Sequence, residues 1–479
     1  MSAKIAKSFS LYTIGQFLTQ ALSFILLPIY INKLSQEEYG IVAFFMAFGF
    51  FLNAVMQYGF SPTLLRYYFD FKENQQKLKS YISTLLIFMI LGNIFILLLI
   101  VLFQGELFGF LSSGMDYERY IYYIIGYSFL FTFPLLTLAL FRVKGQPKKY
   151  LLFNIVQFAM SFLLIYYFVA ILEAGALGKI KGEFWARVPL FLFSFYLYKD
   201  YITCKGLKVE YLKSALKFGI PLMLQSLLWW GLYRLDFFLI ENNLGSEGLG
   251  LYNVAFQISF VLITIGISFS LAWTPHFFAI ADQKRTPILY GNLMGNFCLL
   301  LSLSASLILF FGKEIILMMG GEKYLGIFEF LPWLLFGAVF QSSYYLAHQT
   351  IQYSKKTVSI PVILGLGVLI GFVAEYLVVK RFGLMGISIV KFFTFGSVFI
   401  LTFMVGQKSY KVKLSANKIT IALSLLAMNY GLSSFLGEDV RSIAFKTLIL
   451  VANVILIWKI LPFFTENERK MILKKIGKA

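Results

Sequence analysis

The chain contains two related stretches, INKLSQEEYGIVAF at Ile31–Phe44 and IENNLGSEGLGLYNVAF at Ile240–Phe256. At an offset of 210 residues the matching positions are Leu34 with Leu244, Glu37 with Glu247, and Gly40 with Gly250. A second pair, GALG at 175–178 and GLMG at 383–386, repeats at an offset of 208. The first block joins two long apolar stretches in both copies. We therefore predict a duplicated bundle of membrane helices, an architecture that is common among transporters.

The composition of the chain places it in the membrane. Of its 479 residues, 59% are hydrophobic and 14% are charged, whereas a soluble domain carries about 25% charged residues. The net charge of +19 would suggest nucleic-acid binding in a soluble protein. Here the positive charge lies in alternate short loops, so we predict a polytopic membrane protein with no nucleic-acid partner.

Apolar stretches of about 20 residues can span a bilayer, and fourteen such stretches predict an all-α fold. They are 8–31, 40–62, 80–103, 119–141, 150–172, 175–198, 217–239, 250–272, 287–312, 327–351, 357–379, 383–405, 417–436 and 442–462. Together with the repeat they predict two pseudo-symmetric six-helix bundles, residues 1–198 and 199–407. Residues 408–479 would then add two further membrane helices and a basic tail that lies on the inner leaflet.

Lysine and arginine positions predict the orientation, because cytoplasmic loops are enriched in these residues. With the N-terminus in the cytosol, cytosolic segments hold 29 of the 42 cationic residues and extracytoplasmic segments hold seven. This bias predicts that both termini are cytosolic. The short basic N-terminal lead, without a small-residue cleavage site, predicts a retained first helix.

Charged residues inside a membrane span are costly and commonly face a cavity or a pathway. In GALGKIKGEFWARVPLF, Lys179, Glu183 and Arg187 follow one another at intervals of four, which places them on one helical face. At the offset of 208, Glu183 corresponds to Lys391. We predict a cavity wall formed by Arg187, Lys391 and Lys179. Two alternatives remain open: the helix begins near Glu183 with Lys179 in a loop, or Arg187 and Lys391 form structural ion pairs.

Other polar residues in the spans extend this prediction. Arg234 and Asp236 are an interfacial pair or, alternatively, contact a headgroup or a coupling ion; Glu183 and Asp236 are the carboxylates predicted to pair or to couple. Neutral polar residues usually join helices through hydrogen bonds, but their distribution over several spans also fits a cavity lining. The predicted lining consists of Gln16, Gln20, Asn53, Gln57, Asn154, Gln157, Gln225, Asn253 and Gln257.

Enzyme signatures are missing from the sequence. Its two histidines, His276 and His348, are better explained as structural, and no carboxylate cluster has metal-ligand spacing. No glycine-rich phosphate loop with a lysine occurs. We predict no catalytic residues, no metal and no cofactor.

Several stretches resemble the Wzx-type oligosaccharide flippase and polysaccharide export family, which shares a superfamily with MATE multidrug exporters and lipid II flippases. They are LSQEEYGIVAFFMAF from Leu34, LKFGIPLMLQSLLWWGLYRLDFF from Leu216, AWTPHFF from Ala272 and GLMGISIV from Gly383. The resemblance implies a MATE-like fold around a central cavity in the bacterial cytoplasmic membrane. It also implies that an oligosaccharide unit on undecaprenyl pyrophosphate moves from the inner to the outer leaflet by alternating access. Arg187, Lys391, Lys179 and Arg234 suit the cavity cations of such proteins.

The resemblance further implies a role in O-antigen, capsule or exopolysaccharide biosynthesis, with a polymerase, a chain-length regulator and membrane lipids as partners. Two alternatives are a cation-coupled MATE-type multidrug exporter and a membrane polymerase or glycosyltransferase that acts on lipid-linked sugars. The excess of Lys and Arg over Asp and Glu within the spans disfavours the exporter. The short outer loops disfavour the enzyme.

Overall fold

The computed structural model describes residues 24–112, 115–203, 206–437 and 440–460, together with Leu11, Gly15 and Leu22. Every regular element in this portion is a helix, which confirms the prediction of an all-α chain. Most of the first predicted span, including Gln16 and Gln20, lies outside the described residues, and so does the basic tail after Ile460.

The described residues of the first half form eight helices. They are α1 Leu27–Lys33, α2 Gln36–Met56, α3 Phe60–Phe71, α4 Gln75–Leu102, α5 Gln104–Leu111, α6 Glu118–Val143, α7 Pro147–Tyr166 and α8 Gly175–Tyr198. A π-helical turn, Tyr167–Ile171, extends α7. Because α8 begins at Gly175, Lys179 lies within a helix, and the alternative start near Glu183 is wrong.

The second half continues with α9 Val209–Ile280, α10 Thr286–Met318, α11 Leu331–Tyr353, α12 Ser359–Gln407, α13 Ala416–Phe435 and α14 Val440–Ile460. Three of these helices, α9, α10 and α12, are longer than any described helix of the first half. A 3₁₀ segment, Glu322–Glu329, precedes α11 with a bend of 64°. Seven helices in the described part are long and apolar enough to cross a membrane, or eight if that bent pair forms one span. Among the described residues, α9 and α12 each cover two predicted spans, and nine other helices cover one each. Thirteen of the fourteen predicted spans therefore fall on helices, in rough agreement with fourteen membrane crossings.

Both copies of each repeated block lie where one helical segment gives way to the next. Ser35 caps α2 by accepting a hydrogen bond from the Glu38 amide, while the Glu38 side chain accepts one from the Ser35 amide. At the position that corresponds to Ser35, Gly245 interrupts α9 with a φ of 74°. The second pair also matches, because Gly175 has a φ of 59° and Gly383 one of 54°. Glycine adopts this left-handed backbone without a Cβ clash, so the repeated glycines separate consecutive spans.

The two copies of the first block also contact each other. A Cβ atom on Gly40 would lie 1.7 Å from the carbonyl oxygen of Ser246, and one on Gly250 would lie 1.9 Å from that of Gln36. The offset of 210 converts each contact into the other, because Gln36 corresponds to Ser246 and Gly40 to Gly250. The helices therefore cross with their backbones in reciprocal contact, which small residues allow in membrane proteins.

The helices group into two compact units. One contains Met1–Val254 with Val368–Ile387, and the other contains Ala255–Gly367 with Ser388–Ala479. The core of the first unit includes Phe60, Tyr81 and Phe133. The second unit contains a cluster of Cys298, Leu299, Ala422 and Ile457. The predicted division at residues 198 and 407 follows the sequence repeat and stays a prediction.

Candidate functional site

A buried group of three charges lies on one face of α8. The Nζ atom of Lys179 donates to Oε1 of Glu183, and Nη2 of Arg187 donates to Oε2 of the same carboxylate, both at 3.0 Å. All three side chains are almost fully buried. Two cations share one anion, so this basic triad has a net charge of +1.

The small residues of α8 explain why the helix packs so closely on its neighbour. A Cβ on Gly182 would lie 2.9 Å from Cα of Ile165 in α7, and one on Gly178 would lie 2.8 Å from the carbonyl oxygen of Phe168. The sequence GALGKIKGE therefore alternates glycines that approach the preceding helix with charged residues on another face. That second face meets α6, where Tyr127 and Phe131 contact Arg187.

The guanidinium of Arg187 is only partly satisfied. It lies over the rings of Phe131 at 4.8 Å and Tyr127 at 5.5 Å. Its Nε and Nη1 atoms are buried and have no hydrogen-bond acceptor in the described part of the chain. Buried donors are normally paired, so these N–H groups have the capacity to bind an additional acceptor such as a phosphate oxygen.

Lys391 lies in the other compact unit. It is buried in α12, with its ammonium 6.0 Å from the ring centroid of Phe395. Arg187 and Lys391 are therefore both buried within helices, and they belong to different compact units. Their joint role in one cavity stays a prediction.

Arg234 and Asp236 belong to a second charged group in the first unit, in which Asp236 is buried and Arg234 is half-buried. The guanidinium of Arg234 lies 4.7 Å from the ring of Phe237. Tyr252 donates a hydrogen bond of 2.5 Å to Asp236. Glu375, also buried, is near enough to Tyr252 to interact with it electrostatically. The group combines one cation with two carboxylates, so the sign of its net charge is opposite to that of the basic triad.

The predicted polar lining is found in several environments. Asn53 and Gln57 line a cavity of ≈ 230 Å³ together with Ser226. Asn53 is buried, and neither its side-chain oxygen nor its nitrogen has a partner among the described residues. Asn154 instead donates to the backbone carbonyl of Tyr150 at 2.8 Å, which is a local helix contact.

The remaining lining residues are at least partly buried. Gln157 and Asn253 are buried, whereas Gln225 and Gln257 are half-buried. The side-chain oxygens of Gln157 and Gln257 are buried without a hydrogen-bond partner in the described segments. Their assignment to a substrate cavity stays a prediction.

Two buried carboxylates were missed by the sequence reasoning. Glu375 is the only acidic residue in the apolar run Val358–Val379, and this isolation was a usable signal. Glu241 is also buried; its Oε1 accepts a hydrogen bond of 2.9 Å from Ser246, and its Oε2 has no partner among the described residues.

The profile of the family described as "Polysaccharide biosynthesis protein" matches residues 5–281, which is more than half of the chain. The chain belongs to this family. A curated relative, "Lsg locus putative protein 1" of Haemophilus influenzae, is 21% identical over 332 residues, covering 67% of this chain and 78% of its own length. The family match confirms the resemblance found in the sequence.

Solved structures share the fold. The chain is similar to the lipid II flippase MurJ in an inward closed conformation, with a TM-score of 0.72, 12% identity, and coverage of 94% of this chain and 99% of that chain. It is also similar to an inward-facing MATE family multidrug resistance transporter of the MOP superfamily. There the TM-score is 0.67 at 18% identity, with coverage of 85% and 96%. This polysaccharide biosynthesis protein is therefore a multi-pass membrane protein with a MATE-like fold.

Proposed function

We propose that this protein is a flippase that moves an undecaprenyl-pyrophosphate-linked oligosaccharide from the inner to the outer leaflet of the cytoplasmic membrane. The cycle is alternating access, and both termini are cytosolic. The product feeds a surface polysaccharide such as O-antigen, capsule or exopolysaccharide. Membership of the polysaccharide biosynthesis family and the shared fold with a lipid II flippase support this proposal.

The observation that carries the proposal is that Nε and Nη1 of the Arg187 guanidinium have no acceptor among the described residues. A diphosphate cannot cross hydrocarbon without compensation of its charge. The basic triad has a net positive charge, and two buried N–H groups of Arg187 lack an acceptor in the described residues. In our proposal, Arg187 binds a phosphate oxygen through these donors and Lys391 contributes a point charge. Lys179 and Arg234 are further contacts, and the polyprenyl tail remains in lipid.

The test is complementation of a deletion strain. The double variant R187Q/K391Q should still insert into the membrane but fail to restore surface polysaccharide when its abundance is matched to that of the wild-type protein. Lipid-linked repeat units should accumulate in the inner leaflet, where an externally added enzyme or label cannot reach them in intact spheroplasts. The matched control is K356Q, which removes an exposed lysine from a loop and should restore export fully.

The result separates the proposed function from its alternatives. Normal surface polysaccharide in the membrane-inserted double variant would reject the assignment of Arg187 and Lys391. Single repeat units that accumulate on the outer leaflet of the deletion strain would indicate a polymerase instead of a flippase. If the wild-type gene restored drug efflux to the deletion strain without restoring surface polysaccharide, the protein would be a multidrug exporter.

A further inference from the structure

A groove on the first unit is separate from the charged groups described above. It has a volume of ≈ 540 Å³ and lies where α6, α7 and α8 meet, with Lys149 at one end. Its apolar lining includes Phe141, Leu152, Phe153, Val156, Leu190 and Phe193. The volume falls in the range of about 300–1,000 Å³ that is typical of small-molecule sites.

Packed aromatic rings line one side of the groove, and the other side is exposed. Phe153 packs against Phe141 and Phe193, each with ring centroids 6.1 Å apart. Leu152, Val156 and Phe193 are 61%, 42% and 48% exposed. Leu152 and Val156 lie in a helix that is long and apolar enough to cross a membrane, so we expect the open side of the groove to face lipid chains.

The charged end of the groove lies at the basic junction between α6 and α7. Residues 142–149 read RVKGQPKK, with four cations and no carboxylate. Arg142 and Lys144 are directed to aromatic rings, 5.8 Å from Tyr150 and 5.0 Å from Tyr201. Lys149 is exposed, and no carboxylate of the described residues lies within ion-pair distance of it.

We propose that this groove binds a membrane phospholipid with an anionic headgroup. One acyl chain lies along the phenylalanine rings that line the groove, and the headgroup phosphate contacts Lys149 at the junction of α6 and α7. The charge pattern identifies this occupant: an apolar channel that ends at an unpaired lysine is complementary to a chain that ends at an anion. Basic pockets at the cytoplasmic ends of membrane helices commonly recognise anionic headgroups. The site is independent of transport, so its test does not depend on the proposed flippase activity.

The experiment is native mass spectrometry of the full-length protein with phosphatidylglycerol or phosphatidylcholine of identical acyl chains. The wild-type protein should retain phosphatidylglycerol preferentially. The K149Q variant should lose about fivefold in phosphatidylglycerol affinity, the factor that corresponds to roughly 1 kcal/mol for one lysine, while K149R should retain it. The control K356Q removes another exposed lysine, which lies outside the groove, and should have no effect.

A second variant tests the groove itself. Val156→Phe fills the groove and should reduce retention of both lipids, whereas Val451→Phe, on another lipid-exposed helix face, should reduce neither. Wild-type phosphatidylglycerol retention in both K149Q and Val156→Phe would overturn the proposal. Displacement of the phospholipid by an undecaprenyl-linked lipid in equimolar competition would also overturn it, because the groove would then belong to the transported substrate.

Discussion

Glu183 is the only anion of the basic triad, so its neutralisation is the most direct test of how the triad is held together. The change Glu183→Gln keeps the shape of the side chain and removes its charge. In the native protein the carboxylate pairs with Lys179 and Arg187 at 3.0 Å each, and all three side chains are nearly excluded from solvent. The variant would retain two buried cations and raise the local charge from +1 to +2.

The expected loss of stability follows from the burial of these pairs. Removal of one partner from a buried ion pair costs about 3–5 kcal/mol, because the remaining charge stays desolvated. The glutamine oxygen can still accept one hydrogen bond, so we expect about 3 kcal/mol for Glu183→Gln. Lys179→Met leaves the Arg187 pair intact and should cost less. A double variant that neutralises both Lys179 and Glu183 should therefore be more stable than Glu183→Gln alone. The effects of the two changes are not additive, because the two residues interact.

The assay is thermal unfolding of the full-length protein in one detergent, followed by tryptophan fluorescence. The control is Lys181→Gln on the same helix, since Lys181 lies 5.3 Å from the Tyr123 ring and is absent from the triad. Glu183→Gln should unfold several degrees below this control, and the Lys179→Met/Glu183→Gln double variant should lie between them. Equal unfolding temperatures for Glu183→Gln and Lys181→Gln would refute the reasoning, as would strict additivity in the double variant.

Two further predictions concern other parts of the first unit. Gly40→Ala and Gly250→Ala should each destabilise the protein by about 1–3 kcal/mol or more, because each added Cβ would overlap a backbone carbonyl; Gly431→Ala, with open space at its Cβ, should leave the unfolding temperature unchanged or raise it. At the loop contact of Lys33 with Glu173, the hydrogen bond from Lys33 lowers the pKa of the Glu173 carboxyl. The stabilisation should therefore be present above the ordinary carboxyl pKa and disappear as the pH falls through the lowered value. The small difference in unfolding temperature between wild-type protein and Glu173→Gln should vanish in acid and in high salt, and a difference that grew in acid would contradict this sign.

Sequence periodicity predicted the helices well where a glycine or a capping residue marks their ends. The predicted span 175–198 coincides with α8, because Gly175 adopts a left-handed backbone that starts the helix. The predicted start of the second span was late, since the capping box of Ser35 and Glu38 begins α2 at Gln36. Apolar character alone does not register such polar hydrogen bonds, although the residues S-Q-E-E were a visible signal.

The candidate site was less predictable because burial depends on neighbouring helices. Spacing placed Lys179, Glu183 and Arg187 on one face, but the aromatic rings beside Arg187 come from α6 and follow from tertiary packing. Lys446 illustrates the same limit, because it pairs at 2.5 Å with Glu314, which lies 132 residues earlier in the chain. Pairing between distant helices leaves no local pattern in a single sequence.

The contact between Gly40 and Gly250 has a consequence for the origin of the chain. Exchanging the two copies of the repeat exchanges Gln36 with Ser246 and reproduces the same pair of contacts. An interface of this kind, in which one surface meets its own equivalent, is the type found in two-fold homodimers. With the predicted six crossings in each repeat, both copies would have the same orientation across the bilayer. A half-length ancestral chain would thus already have carried both sides of this junction, and gene fusion would have preserved a dimer interface as an internal one.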